Sequence, residues 1–141
     1  MLELAALVVI AWALGREYMG TVETKIGVNL NGLAPEGFTI VGAIDRAART
    51  FNVPLVITSA SRPDDGDSMH GIGKALDVRT TNLTSEQIVA LYWWFTVELG
   101  PAFLVLFESP SVVNLPSELR AIVYLNPSAT AQHFHLGVRR T

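Results

Sequence analysis

The chain contains no cysteine. Disulfides, thiolate nucleophiles and cysteine-ligated zinc are excluded together, and the redox compartment stays open on either side of a membrane. Charge is scarce as well: 16% of residues are Asp, Glu, Lys or Arg, and the net charge is −3. Lys and Arg form no run. Phosphate neutralisation needs clustered cations, so no nucleic-acid partner is expected. Neither G-x-S-x-G nor S-x-x-K occurs, which sets the common serine nucleophiles aside. Gly71-Ile72-Gly73-Lys74 lacks the leading Gly and the following Ser or Thr of a P-loop. Asp64, Asp65 and Asp67 lack the rest of a calcium-binding loop and read as solvated.

No apolar run reaches the roughly twenty residues that a membrane-spanning helix needs. The longest, Leu4 to Leu14, has eleven. Ala11-Trp12-Ala13 has the A-x-A form of a signal-cleavage site, yet no Lys or Arg precedes the run to make a charged start. The run reads first as an apolar helix over residues 1–18 docked on the domain. An export or anchoring segment, with residues 4–14 as a membrane contact, is the alternative.

What is present supports a single compact unit. Half of the 141 residues are hydrophobic, enough for one domain over residues 19–141 to bury its own core. Ile40, Val41, Ile44, Ala47, Ala48 and Phe51 recur at three-four spacing and predict a helix over Phe38–Phe51. Leu55–Thr58 and Ala75–Val78 read as strands around a long loop, Ser59–Gly73. Thr84 and Gln87 form a capping-box pattern for a helix ending at Gly100-Pro101. Phe103–Phe107, Ala121–Leu125 and His133–Val138 read as further strands, with an Asn126-Pro127-Ser128 turn region between the last two. Trp93 and Trp94 read as core and surface-cover residues rather than a sugar platform. The fold class expected is α+β: a small, mostly antiparallel sheet with helices packed on one face.

All three histidines lie in two short segments, His70 with Asp77 and His133 with His135. On a straight helix, residues seven apart stand about 10.5 Å apart along the axis. On a strand they point to opposite faces and stand roughly 20 Å apart or more. His70 and Asp77 can share an ion only if the backbone folds back between them, which Gly71 and Gly73 permit. His133 and His135 point to one face of a strand, about 7 Å apart. One can ligate while the other stands over an open coordination position. The assignment is His70, Asp77 and His135 as ligands, with His133 beside them as a catalytic group. Nitrogen and carboxylate donors without thiolate suit Zn²⁺, with Mn²⁺ and Fe²⁺ as alternatives. Ser68 is expected to brace the His70 loop through hydrogen bonds.

Ser68-x-His70-x-x-Gly73-x-Ala75-x-Asp77 resembles in full the S-x-H-x-x-G-x-A-x-D motif of the M15-type zinc peptidases. These are the D-alanyl-D-alanine carboxypeptidases and related phage endolysins, which share the zinc fold of the Hedgehog signalling domain (the Hedgehog/DD-peptidase fold). His133-Phe134-His135 is similar to that superfamily's H-x-H. Leu33-Ala34-Pro35-Glu36, Ile57-Thr58-Ser59 and Ala75 to Thr80 are more loosely similar to a branch of small phage- or prophage-associated members. In that branch an apolar strand ending in Glu precedes the H-x-H, as Val105-Leu106-Phe107-Glu108 does here. The resemblance spans about residues 30–140.

The resemblance implies His70, Asp77 and His135 as zinc ligands and His133 as the histidine that steadies the transition state. It implies a zinc metallopeptidase hydrolysing amide bonds of peptidoglycan stem peptides, as a D,D- or L,D-type carboxypeptidase or endopeptidase. Such an enzyme acts on the cell wall, either exported or released by phage lysis. Glu108 is the candidate general base, its pKa expected to be raised by partial burial. Arg62 is the candidate partner of a substrate carboxylate. The plainer alternatives are an exposed strand-end glutamate and a solvated loop arginine. An acidic residue that several of these carboxypeptidases carry three positions before the last zinc histidine is Gln132 here. The competing function is therefore a catalytically impaired zinc-binding module of the same fold. A membrane-tethered structural protein and a zinc peptidase acting outside the cell wall are further rivals.

Overall fold

The computed structural model describes residues 20–140. The apolar helix expected over residues 1–18, with its candidate membrane contact at 4–14, lies outside the described residues. Among the described residues no helix is long and apolar enough to cross a membrane.

Among the described residues, three α-helices and six strands follow in chain order: β1 (Val22–Thr24), α1 (Pro35–Phe51), β2 (Leu55–Ser59), β3 (Ala75–Arg79), α2 (Ser85–Leu99), β4 (Phe103–Ser109), α3 (Ser117–Arg120), β5 (Val123–Leu125) and β6 (His133–Val138). Helix α1 begins one turn earlier than its apolar periodicity predicts. Pro35 takes a first-turn position where its missing N–H costs nothing, and Glu36 complements the helix dipole. Asn52 ends the helix in a left-handed conformation at φ +52°, donating to the carbonyls of Ala48 and Arg49. Helix α2 starts at the expected capping box. Gln87 N donates to Thr84 Oγ1 at 3.2 Å, and Thr84 N donates to Gln87 Oε1 at 2.9 Å.

The strands form one sheet in the order β1-β2-β3-β6-β4-β5. It is mixed, which corrects the expectation of a mostly antiparallel sheet. The three central pairings are antiparallel, and both outer pairings, β1 with β2 and β4 with β5, are parallel. Each parallel pair is joined through a helix, α1 in one case and α3 in the other, and such a crossover returns the chain in the same direction. Both edge strands have only three residues, too short to leave a period-two signature, and β1 and α3 carry no sequence signal that marks them out.

Alternation divides each strand between two faces. Leu55 and Ile57 of β2, Leu76 and Val78 of β3, Phe134 and Leu136 of β6, and Val105 and Phe107 of β4 join one buried cluster with Ile40, Ile44 and Phe95 of the helices. Phe134 is its hub, edge-on to Phe95 at 5.7 Å and to Phe107 at 6.0 Å. Trp94 packs edge-on against Phe51 and Phe95 as a covering residue. The helices thus cover one face, as expected. The other face carries Asp77 and Arg79 of β3, His133 and His135 of β6, and Leu106 and Glu108 of β4. Cross-strand register sets Asp77 beside His135 and His135 beside Leu106; it likewise sets Arg79 beside His133 and His133 beside Glu108.

Candidate metal centre

His70 reaches the open face from the loop between β2 and β3. A bulge shifts the register between Ile57 and Ser59 where β2 enters that loop, bringing Ser59 opposite Asp77. The loop then closes tightly. Gly71 N donates to Ser68 Oγ at 3.0 Å, the bracing role expected of Ser68. Arg62 N donates to the His70 carbonyl at 3.0 Å, and Lys74 N to the Met69 carbonyl at 2.8 Å. The two glycines act for different reasons. Gly73 adopts φ +74°, and a side chain there would strike the backbone of Gly32 and Ala34. Gly71 has ordinary dihedrals, but a side chain there would strike the Gly66 carbonyl. The first turn of α1 docks on this bend, with Ala34 N donating to the Gly73 carbonyl at 3.0 Å.

The three expected ligands meet at Asp77 Oδ1. His70 Nε2 lies 3.2 Å from it and His135 Nδ1 lies 3.1 Å from it. One donor atom from each of the three residues falls within 4.8 Å of the others. His70 is 5% exposed, and its Nδ1 sits 3.0 Å from the Ala60 carbonyl. A carbonyl only accepts, so Nδ1 carries the proton and a neutral His70 turns the lone pair of Nε2 toward Asp77. Two acceptors then face each other at hydrogen-bond distance, an arrangement that requires a cation, either a proton or a metal ion. Donors bound about 2.1 Å from a tetrahedral ion stand roughly 3.4 Å apart. The donor set and its spacing therefore fit a divalent ion, and His70, Asp77 and His135 can hold one.

Beside this group lies a second pair. His133 Nε2 is 2.9 Å from Glu108 Oε2 and 3.8 Å from Asp77 Oδ1. Its Nδ1 is 2.9 Å from the Ala131 carbonyl. Both ring nitrogens face acceptors, which favours the imidazolium form. Burial works against that charge, but hydrogen bonds to Glu108 and the Ala131 carbonyl and the charges of Asp77 and Glu108 outweigh it, raising the His133 pKa. Glu108 moves the opposite way. The hydrogen bond from His133 pulls its pKa down, burial opposes, and Asn126 assists the lowering. This corrects the expected rise: burial does push upward, and two donors on the carboxylate override it. Burial also disfavours the Asp77 carboxylate, but the hydrogen bond from His135 and, where a proton fills the His70–Asp77 contact, the one from His70 hold it well below the usual range.

A cavity of about 370 Å³ opens above these groups. His70, Asp77, His133, His135 and Glu108 line it, and Arg62 stands at its wall. Arg62 is tied to its own loop, its Nε 2.9 Å from Asp65 Oδ2. The far wall is the segment from Asn126 to Thr130, which from sequence reads only as a turn region. Asn126 Nδ2 donates to Glu108 Oε2 at 3.1 Å. Asn, Pro and Ser mark a turn by composition, and nothing in their order says that the turn stands over a carboxylate 18 positions earlier.

No family model, curated protein or solved structure matches this chain.

Proposed function

We propose that this chain is a zinc-dependent peptidase of the M15 type that hydrolyses amide bonds in the stem peptides of peptidoglycan. One observation carries the reading: the S-x-H-x-x-G-x-A-x-D segment and the H-x-H segment, 58 positions apart at Asp77 and His135, converge on one carboxylate oxygen in the floor of an open cavity. His70, Asp77 and His135 would hold the ion. A bound zinc supplies Lewis acidity toward a carbonyl oxygen and makes water a stronger nucleophile near neutral pH.

The remaining chemistry belongs to the chain's own side chains. Glu108 and His133 share a proton across 2.9 Å, so the pair can accept one from an attacking water and return one to the leaving amine. The imidazolium of His133 also presents positive charge where an oxyanion develops. A carboxylate drawn below its ordinary pKa is a weaker base alone, and its coupling to His133 makes the pair, not Glu108 singly, the proton-handling unit. Arg62 lines the cavity, and once Asp65 yields its guanidinium it would meet a substrate carboxylate.

Metal analysis joined to mass spectrometry of digested sacculi tests this. The expected result is about one zinc per chain, release of cleaved stem peptides, and loss of that release with chelator and its return with zinc. Stoichiometric zinc without cleavage would favour the impaired metal-binding module, and protein that takes up no metal would overturn both.

A further inference from the structure

We propose that Asn126 is a positioning residue, a clamp that ties the far wall of the cavity to Glu108 and sets that carboxylate for proton transfer. The proposal rests on the peptidase reading of the site and adds a residue to it. Asn126 has four polar groups, and each has a partner. Its backbone N–H donates to the Ser109 carbonyl at 2.9 Å, and its backbone carbonyl accepts from Ala129 N at 3.0 Å. Its side-chain Oδ1 accepts from Ser128 N at 3.1 Å, and its Nδ2 donates to Glu108 Oε2 at 3.1 Å.

These contacts leave the amide one orientation. A backbone N–H can only donate, so Oδ1 must face Ser128, and Nδ2 then faces a carboxylate that can only accept. The same side chain folds the turn and grips the carboxylate. Glu108 Oε2 is thereby held from two sides, by His133 Nε2 and by Asn126 Nδ2. With Oε2 so engaged, Oε1 is the oxygen left to take up a proton. Without Asn126 the carboxylate keeps one tether and can rotate about it. Neither aspartate nor alanine does both tasks at this position. Aspartate keeps the acceptor for Ser128 but sets a second negative charge against Glu108, and alanine loses both contacts.

The test compares Asn126→Asp, Glu108→Gln and the double variant as zinc-loaded full-length proteins. Asn126→Asp is expected to keep its zinc and a KM within about twofold of wild type while kcat falls about 10²-fold, because a misplaced proton acceptor costs turnover rather than binding. Its Tm is expected to drop by about 5 °C. Adding Glu108→Gln, whose amide can donate to the new carboxylate, returns most of that loss. An unchanged kcat in Asn126→Asp overturns the positioning role. Additive Tm losses in the double variant overturn the clamp itself. The melting measurements need no turnover, so a wild-type protein that cleaves no peptidoglycan would sink the peptidase reading while leaving the coupling of 126 to 108 decided on its own.

Discussion

The two faces of the sheet are built from the same strands and differ in almost every property. Leu76 and Val78, Phe134 and Leu136 are fully buried against the helices. One position away, Asp77, His133 and His135 point to the open side, with His135 3.1 Å and His133 3.8 Å from the same carboxylate oxygen. The helix-covered face satisfies only packing. The open face holds two carboxylates and three imidazoles at hydrogen-bond distances, an arrangement that apolar contacts alone would not stabilise. The lesson is a division of labour along each strand: stability comes from one set of alternating residues, and it fixes the backbone that aims the other set.

That division can be broken most severely from the covered side. Phe134→Ala removes the ring that Phe95 and Phe107 both meet, and a loss of about 3–5 kcal/mol in denaturant unfolding is expected. Zinc stoichiometry of the molecules that remain folded should stay near wild type. A loss below about 1 kcal/mol would mean that the hub role is misassigned.

On the open side, the neighbour across the register does the reverse. Asp77→Asn keeps shape and removes the carboxylate that His70 and His135 both face. Far-UV circular dichroism should be unchanged while bound zinc and peptide hydrolysis are lost. Retention of stoichiometric zinc in this variant would remove Asp77 from the ligand set.

A subtler contrast is written in pH. In chelator-treated protein, Glu108 lies below the ordinary glutamate value of 4.5 and His133 above the ordinary histidine value of 6.5. The stability from Glu108 is present above 4.5 and lost as pH falls through its lowered pKa. The stability from His133 is present below 6.5 and lost as pH rises through its raised pKa. The pair therefore contributes fully only between those values. The Tm difference between wild type and Glu108→Gln should peak there and shrink as pH falls through the lowered Glu108 pKa or rises through the raised His133 pKa. A difference that is flat with pH would show that the two groups do not share a proton.

The mildest change lies far from the site. Thr84→Ala deletes the capping box of α2 and should cost about 1 kcal/mol, or roughly 3 °C in Tm. Metal content and turnover should not move. If turnover falls with this variant, the two faces are less independent than the packing implies.

Some of this was legible because local rules act over a few residues. The capping box at Thr84 and Gln87, the three-four spacing of α1 and the two glycines of the His70 bend all depend on neighbours in the chain. The group that could hold a metal ion was legible for a related reason: every histidine lies in one of two segments, so few groupings exist. Other features had no local signal. Strand β1 and helix α3 are too short for a period. The parallel outer pairings follow from crossovers, and the direction of the Glu108 shift follows from His133 and Asn126, which lie 25 and 18 positions beyond it.

Sequence alone determined which residues could bind a metal and that a bend must lie between His70 and Asp77, because donor chemistry and backbone reach are properties of residue type and spacing. Tertiary structure decided which carboxylate meets which imidazole, which oxygen each contact uses, and whether burial or hydrogen bonding governs each charge. Those outcomes depend on distances across strands that are remote in the chain, and a difference of one ångström changes the balance between desolvating a group and pairing it.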